Sequence, residues 1–204
     1  MLFSVLIILV LIVLRAFAKR VELRNKSKNA KIFGDRLEII VVSYSLVFLV
    51  VKPVLVQPYS IQSTSMSPNM RPGDRVLVNK AAYWMVDPRR GDIVAFRPPP
   101  MALKLEPQLD GQELVKRVVG IEGDVVEVHA GKILVNNKPQ TTYAPIGIDY
   151  DLAPSVVPSG QLFVLGDNQE RSSDSHQWGP IEENLVVGRV TGIVWPPNRV
   201  GPVP

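Results

Sequence analysis

Two apolar runs within the first 56 residues constrain this chain more than any other feature. Residues 1–14, MLFSVLIILVLIVL, are almost wholly apolar, and Arg15-Ala16-Phe17-Ala18 follows them. At helical rise the 18 residues reach about 27 Å, close to the hydrocarbon thickness of a bilayer. No Lys or Arg precedes the run, which argues for a retained helix with Arg15 reaching the interface rather than a cleaved leader. The second run, Leu37 to Val56, is interrupted by Lys52-Pro53 and would reach about 30 Å as a helix. Between them lies the basic block Lys19–Lys31. Residues 1–38 hold eight Lys/Arg against three Asp/Glu, whereas residues 39–204 hold fifteen against sixteen. Short basic loops stay on the cytoplasmic side. The expected layout is a span at 1–18, a cytoplasmic loop at 19–36, a span at 37–57 and an extracytoplasmic domain at 58–204.

The charge pattern also excludes a function. A net +4 concentrated in one N-terminal block is not the spread basic face that nucleic acid requires, so no nucleic-acid partner is expected. With no cysteine, disulfides, thiolate metal sites and cysteine nucleophiles are ruled out.

Beyond Tyr59 the pattern changes to short β-type runs broken by Gly, Pro and Asp. Strands are predicted near Arg75–Asn79, Asp92–Phe96, Glu113–Ile121, Val125–His129, Lys132–Asn136, Gln161–Leu165 and Leu185–Trp195. His129-Ala130-Gly131 reads as a tight hairpin turn. Lys80–Met85 reads as a short helical turn, while Pro98-Pro99-Pro100 and 140–158 read as loops. Val- and Ile-rich runs with little helical period between them point to a mainly β, antiparallel sandwich or barrel.

The chemistry-bearing stretch is Gln62-Ser63-Thr64-Ser65-Met66-Ser67-Pro68. Clustered hydroxyls usually make turns, because Ser and Thr bond their own backbone. To attack a carbonyl, a serine needs a base. The chain has two histidines: His129 on a strand-like run, where a packing or surface role is ordinary, and His176 in the loop 166–179, where a Ser-His enzyme is the rival reading. Lys116 sits between Leu114-Val115 and Val118-Val119, and strand alternation puts it on the face opposite Arg117. A lysine among apolar neighbours is desolvated, which moves it from about 10.4 towards the roughly 7–8 that suits a general base. An exposed Lys-Arg pair is the bland alternative.

Four blocks decide between these readings. Ser63–Pro68, Gly73-Asp74-Arg75-Val76-Leu77-Val78, Lys116-Arg117-Val118-Val119-Gly120, and Gly166-Asp167-Asn168 with Ser172-Ser173-Asp174 occur in the order seen in type I signal peptidases. Across most of residues 58–196 the chain resembles that family of membrane-bound serine proteases with a Ser-Lys dyad. The resemblance implies a signal-peptidase-like antiparallel β catalytic domain preceded by two transmembrane helices. It implies Ser65 as nucleophile, Lys116 as general base, Ser63 in the oxyanion hole, and Ser172 and Asp174 supporting the lysine. Tyr59, Ile61, Met66, Ala95 and Val115 match positions that line shallow substrate pockets, though each would serve equally as core. Gly73-Asp74 reads as a structural turn.

The resemblance also implies no metal or other cofactor, and a multi-pass place in a cell (plasma or inner) membrane with the catalytic domain outside the cytoplasm. The implied partners are secretory preproteins, cut after small-x-small motifs such as Ala-x-Ala, the lipid bilayer and the protein-export machinery. One departure is His176, where some relatives carry Arg paired with the loop Asp; the partner here is weaker and pH-dependent. The rivals are a self-cleaving Ser-Lys peptidase of the bacterial repressor type and a non-catalytic β binding module.

Overall fold

The computed structural model describes residues 16, 19–20, 28–46, 55–141 and 143–203. The chain divides into two compact units, 1–55 and Val56–Pro204. In the first, helix α1 runs from Lys28 to Leu46. It starts inside the block expected to be a loop and continues into the second apolar run, where Ile39, Ile40 and Val42 are exposed. Most of the expected first span, and residues 47–54 of the second, lie outside the described residues. No helix among the described residues is long and apolar enough to cross a membrane.

The second unit contains two antiparallel sheets. In chain order its elements are β1 (Val56–Ser60), β2 (Arg75–Asn79), β3 (Ile93–Phe96), α2 (Pro100–Leu105), β4 (Leu114–Gly120), β5 (Val125–His129), β6 (Lys132–Val135), β7 (Lys138–Pro139), β8 (Leu152–Val156), β9 (Gln161–Leu165), α3 (Ser175–Trp178), β10 (Ile181–Glu182) and β11 (Val186–Trp195). The larger sheet has the order β1-β2-β11-β3-β4-β9-β10, and the smaller β7-β6-β5-β8. The mainly β, antiparallel architecture is therefore as expected.

Side-chain alternation sets the layers. On β3, Ile93 and Ala95 join a core with Ile61, Met66, Val76 and Val78, whereas Val94 and Phe96 join the opposite core with Val118, Leu162 and Trp178. A strand covered on both faces reads as a continuous apolar run, and β3 is buried at all four positions. The small sheet supplies a third core of Val126, Val128 and Ile133 against Val119, Phe163 and Leu165. Gly120, at the end of β4, allows this junction: a Cβ there would lie 2.6 Å from Val126 Cγ2.

The β5–β6 hairpin closes through Ala130 and Gly131 at φ 50° and 73°, the left-handed pair that a two-residue turn demands. Several local expectations differ. Residues 80–85 form irregular turns, not a helix. The proline run ends in α2, whose first residue is Pro100, a position that tolerates the missing N–H. The expected loop 140–158 contains β8, which pairs with β5. β1 straddles the boundary drawn at residue 57 and pairs with β2 throughout, Val56 to Asn79 and Ser60 to Arg75.

Candidate active site

The hydroxyl-rich segment leaves the end of β1 and turns back on itself. Ile61 N–H donates to Asp74 O at 2.8 Å and Gly73 N–H to Ile61 O at 2.9 Å, anchoring its start. Ser67 N–H to Thr64 O at 3.0 Å and Met70 N–H to Met66 O at 2.9 Å close the turns beyond it. Met66 is the anchor that packs into the core. Ser65, 4 % exposed, presents its N–H to Ser63 Oγ at 3.1 Å. That contact uses one lone pair of Ser63 and leaves its O–H to donate elsewhere. Asp74 is structural, accepting from Arg71 N–H and from both arms of the Arg199 guanidinium at 2.9 Å.

Lys116 and Arg117 point to opposite faces of β4, and both are buried. Lys116 is 4 % exposed and Arg117 2 %, so an exposed pair is excluded. Arg117 forms a two-pronged ion pair with Asp167, 2.8 Å on each arm, donates to Gly91 O at 3.2 Å, and lies 4.7 Å from the centre of the Tyr143 ring. Among the described residues no carboxylate forms an ion pair with Lys116; its Nζ donates to Ser172 Oγ at 3.0 Å. Burial lowers its pKa from the ordinary 10.5 to about 8, against the opposing pull of Asp174, Glu106 and Asp167. A neutral amine is thus accessible near neutrality.

The loop after β9 is built around Asp174, which is fully buried. Its Oδ2 accepts from Ser172 Oγ, from Gly166 N–H at 2.9 Å and from Gln169 Nε2 at 3.1 Å. Its Oδ1 meets His176 Nδ1 at 2.6 Å and caps α3 through His176 N–H at 3.2 Å. Burial alone would raise this carboxyl, but the His176 contact, the Lys116 charge and the donated hydrogen bonds together bring it below its usual range. Gly166 must be glycine, since a Cβ there would sit 2.3 Å from Ser172 Oγ and 2.6 Å from Ser65 O. The loop is stitched directly to the hydroxyl segment by Asn168 N–H to Ser65 O at 2.9 Å and Asn69 Nδ2 to Asp167 Oδ2 at 2.7 Å.

These elements enclose a cleft of about 520 Å³. Ser65 and Lys116 both line it, with Ser63 beside them and Tyr59, Ile61, Met66 and Val115 along the walls. Ser172 and Asp174 lie behind Lys116 and are not among the lining residues. Ala95 is also outside the lining: it is fully buried in the core beneath, paired across the sheet with Val115. Burial and a hydrogen bond to Glu113 raise the Tyr59 phenol, so Tyr59 carries no charge in the cleft wall. His129 is an exposed residue near Asp151, and His176 does not line the cleft. Sequence reading missed Arg117, Asn69, Gln169 and Tyr150 as supports; for the first three the available signal was nearness in the chain to Lys116, Ser65 and the Gly166-Asp167-Asn168 turn, and for Tyr150 there was none.

A serine hydroxyl and a desolvated lysine thus share one cleft, with Ser172 and Asp174 behind the lysine. The comparisons are more specific. Residues 34–195 match the family model described as signal peptidase, peptidase S26, and the chain belongs to that family. It is 41% identical over 163 residues, 79% of its length, to the probable thylakoidal processing peptidase 2, chloroplastic, of Arabidopsis thaliana. It is 39% identical over 142 residues to the signal peptidase I of Leptolyngbya laminosa, covering 69% of this chain and 70% of that one. A crystal structure of a signal peptidase I from Enterococcus faecalis V583 aligns with TM-score 0.40 and 27% identity over 52% of this chain and 97% of that one. The chain spans less than half the length of the thylakoidal relatives, 43% and 47%.

Proposed function

We propose that this chain is a membrane-anchored serine endopeptidase that removes N-terminal signal peptides from secretory preproteins. The observation that carries the reading is the joint presence of Ser65 and the desolvated Lys116 in one cleft. Ser65 Oγ attacks the scissile carbonyl carbon while neutral Lys116 takes its proton. The oxyanion receives the free O–H of Ser63, a donor fixed before charge develops. The tetrahedral species collapses with proton transfer from Lys116 to the leaving amine, giving an ester on Ser65. Lys116 then takes a proton from water, which attacks the ester; as the acyl–Oγ bond breaks, Lys116 returns the proton to Ser65 Oγ and the acid is released. None of these steps calls for a metal or an organic cofactor.

The cleft walls run along β1 and its extension on one side and residues 111–116 on the other, so an extended peptide can pair as an added strand. Apolar side chains of Ile61, Met66 and Val115 in the walls suit small apolar side chains, in keeping with cleavage after small-x-small motifs. The anchors are the two apolar runs, with the basic block cytoplasmic and the catalytic unit outside, beside the export machinery that delivers its substrates. Exposed Ile39, Ile40 and Val42 on α1 favour a lipid environment for that segment.

The test is cleavage of an Ala-x-Ala preprotein by the detergent-solubilised chain. Wild type should cut after the second alanine, while Ser65→Ala and Lys116→Ala should not. Activity that survives Lys116→Ala but not His176→Ala would make histidine the base. A folded wild type that never cuts would favour a binding module.

A further inference from the structure

A strap formed by residues 143–150, leading into β8 of the small sheet, lies along the loop that supports Lys116. It makes contact at four points. Tyr143 covers the Arg117 guanidinium, whose arms hold Asp167. Ile146 forms a bridge with Asn168, with Ile146 N–H on Asp167 O at 2.9 Å and Gln169 N–H on Ile146 O at 2.8 Å. Gly147 lies so close to Glu170 that a Cβ would come within 2.3 Å of its Cγ. Tyr150 stacks on His176 with ring centroids 4.3 Å apart and planes inclined at 18°, and its hydroxyl donates to Gln169 Oε1.

The last contact completes the pairing of Gln169. A glutamine amide can sit either way round unless its partners distinguish oxygen from nitrogen. Gly166 O and Asp174 Oδ2 only accept, so they take Gln169 Nε2, at 2.5 Å and 3.1 Å, and its Oε1 is left to receive the Tyr150 hydroxyl, which ties down the other end of the amide. The same Oδ2 receives the Ser172 hydroxyl that accepts from Lys116. Tyr150 therefore touches both oxygens of Asp174 indirectly, one through Gln169 and the other through His176.

We propose that Tyr150 is a positioning residue for the general base, acting through Gln169 and His176 on the Asp174–Ser172–Lys116 relay, and that this is what the strap from the small sheet contributes to catalysis. The proposal rests on the serine–lysine reading above. Ionisable groups facing Lys116 are Asp174, Asp167 and Glu106, and those facing Asp174 are His176, Lys116 and the phenols of Tyr143 and Tyr150. Without the Tyr150 hydroxyl the Gln169 amide is held at its nitrogen end alone, and the weaker its bond to Asp174 Oδ2 becomes, the more of the Asp174 charge acts on Lys116 and favours its ammonium form.

The experiment uses the full chain in detergent with Tyr150→Phe, which keeps the ring over His176 and removes only the hydroxyl. The expected result is a kcat lower by about tenfold with KM within about twofold, and an acid limb of the pH profile moved up by about half a unit. Lysine 15N resonances followed by NMR across the same pH range should show Lys116 titrating higher by the same amount, whether or not substrate is cut. An unshifted Lys116 in Tyr150→Phe overturns the proposal, even if kcat falls. Failure of wild type to cleave would count against the proposed function alone, since the NMR titration still decides the role of Tyr150. Should Tyr150→Ala fail to fold, the Phe variant carries the decision.

Discussion

Lys116 is in a costly position, and in the proposed mechanism the cost is part of the chemistry. A lysine whose pKa drops from 10.5 to about 8 on folding binds fewer protons than the unfolded chain across that interval. Stability therefore rises with pH between about 8 and 10.5, and the full span amounts to about 3 kcal/mol that the fold forgoes at neutral pH. Lys116→Met should abolish cleavage yet melt no lower than wild type at pH 7, and this advantage should shrink as pH rises through the window. Paired thermal melts at several pH values check it; a variant that melts well below wild type at neutral pH would contradict the desolvation argument. In wild type, kcat/KM should climb as pH rises through about 8, because the amine must be neutral to take the Ser65 proton.

At the scale of elements, the site depends on the hydroxyl segment after β1 and the loop after β9 being held together. Gly166 is the point of closest approach. In Gly166→Ala the added methyl would meet Ser172 Oγ and Ser65 O at once, and no flexible side-chain end can yield to the carbonyl. We expect at least about a hundredfold loss of kcat, with circular dichroism still reporting the β fold. Near-normal kcat in this variant would mean the two elements move independently.

Which elements were legible follows from the same physics. β2, β5 and β9 announced themselves by apolar patterning between turn residues, and β3, β4 and β11 to within a residue or two. β8 was hidden because Pro154 and exposed Val156 erase the apolar alternation on an edge strand. β1 was hidden because the apolar run before it has no break at Val56. Resemblance pointed to Ser65 and Lys116, which the structure brings to one cleft. The Arg117–Asp167 pair and the Tyr150–Gln169 bond join residues 50 and 19 positions apart, and no local pattern encodes such partnerships.

For the whole molecule, the account requires a basic block on one side of a bilayer and a catalytic unit on the other. Because the chain has no cysteine, single cysteines report topology without background. Ser27→Cys should react with an impermeant maleimide only from the cytoplasmic face, and Lys138→Cys only from the opposite face. Labelling of both from one side would remove the two-span arrangement. The central claim, that Ser65 is acylated with Lys116 as its base, is met most directly by acid-quenching a preprotein reaction and mapping the chain by mass spectrometry. The account predicts the signal peptide esterified to Ser65 in wild type and absent in Lys116→Ala. Product formed with no adduct on Ser65, or an equal adduct without Lys116, would contradict it.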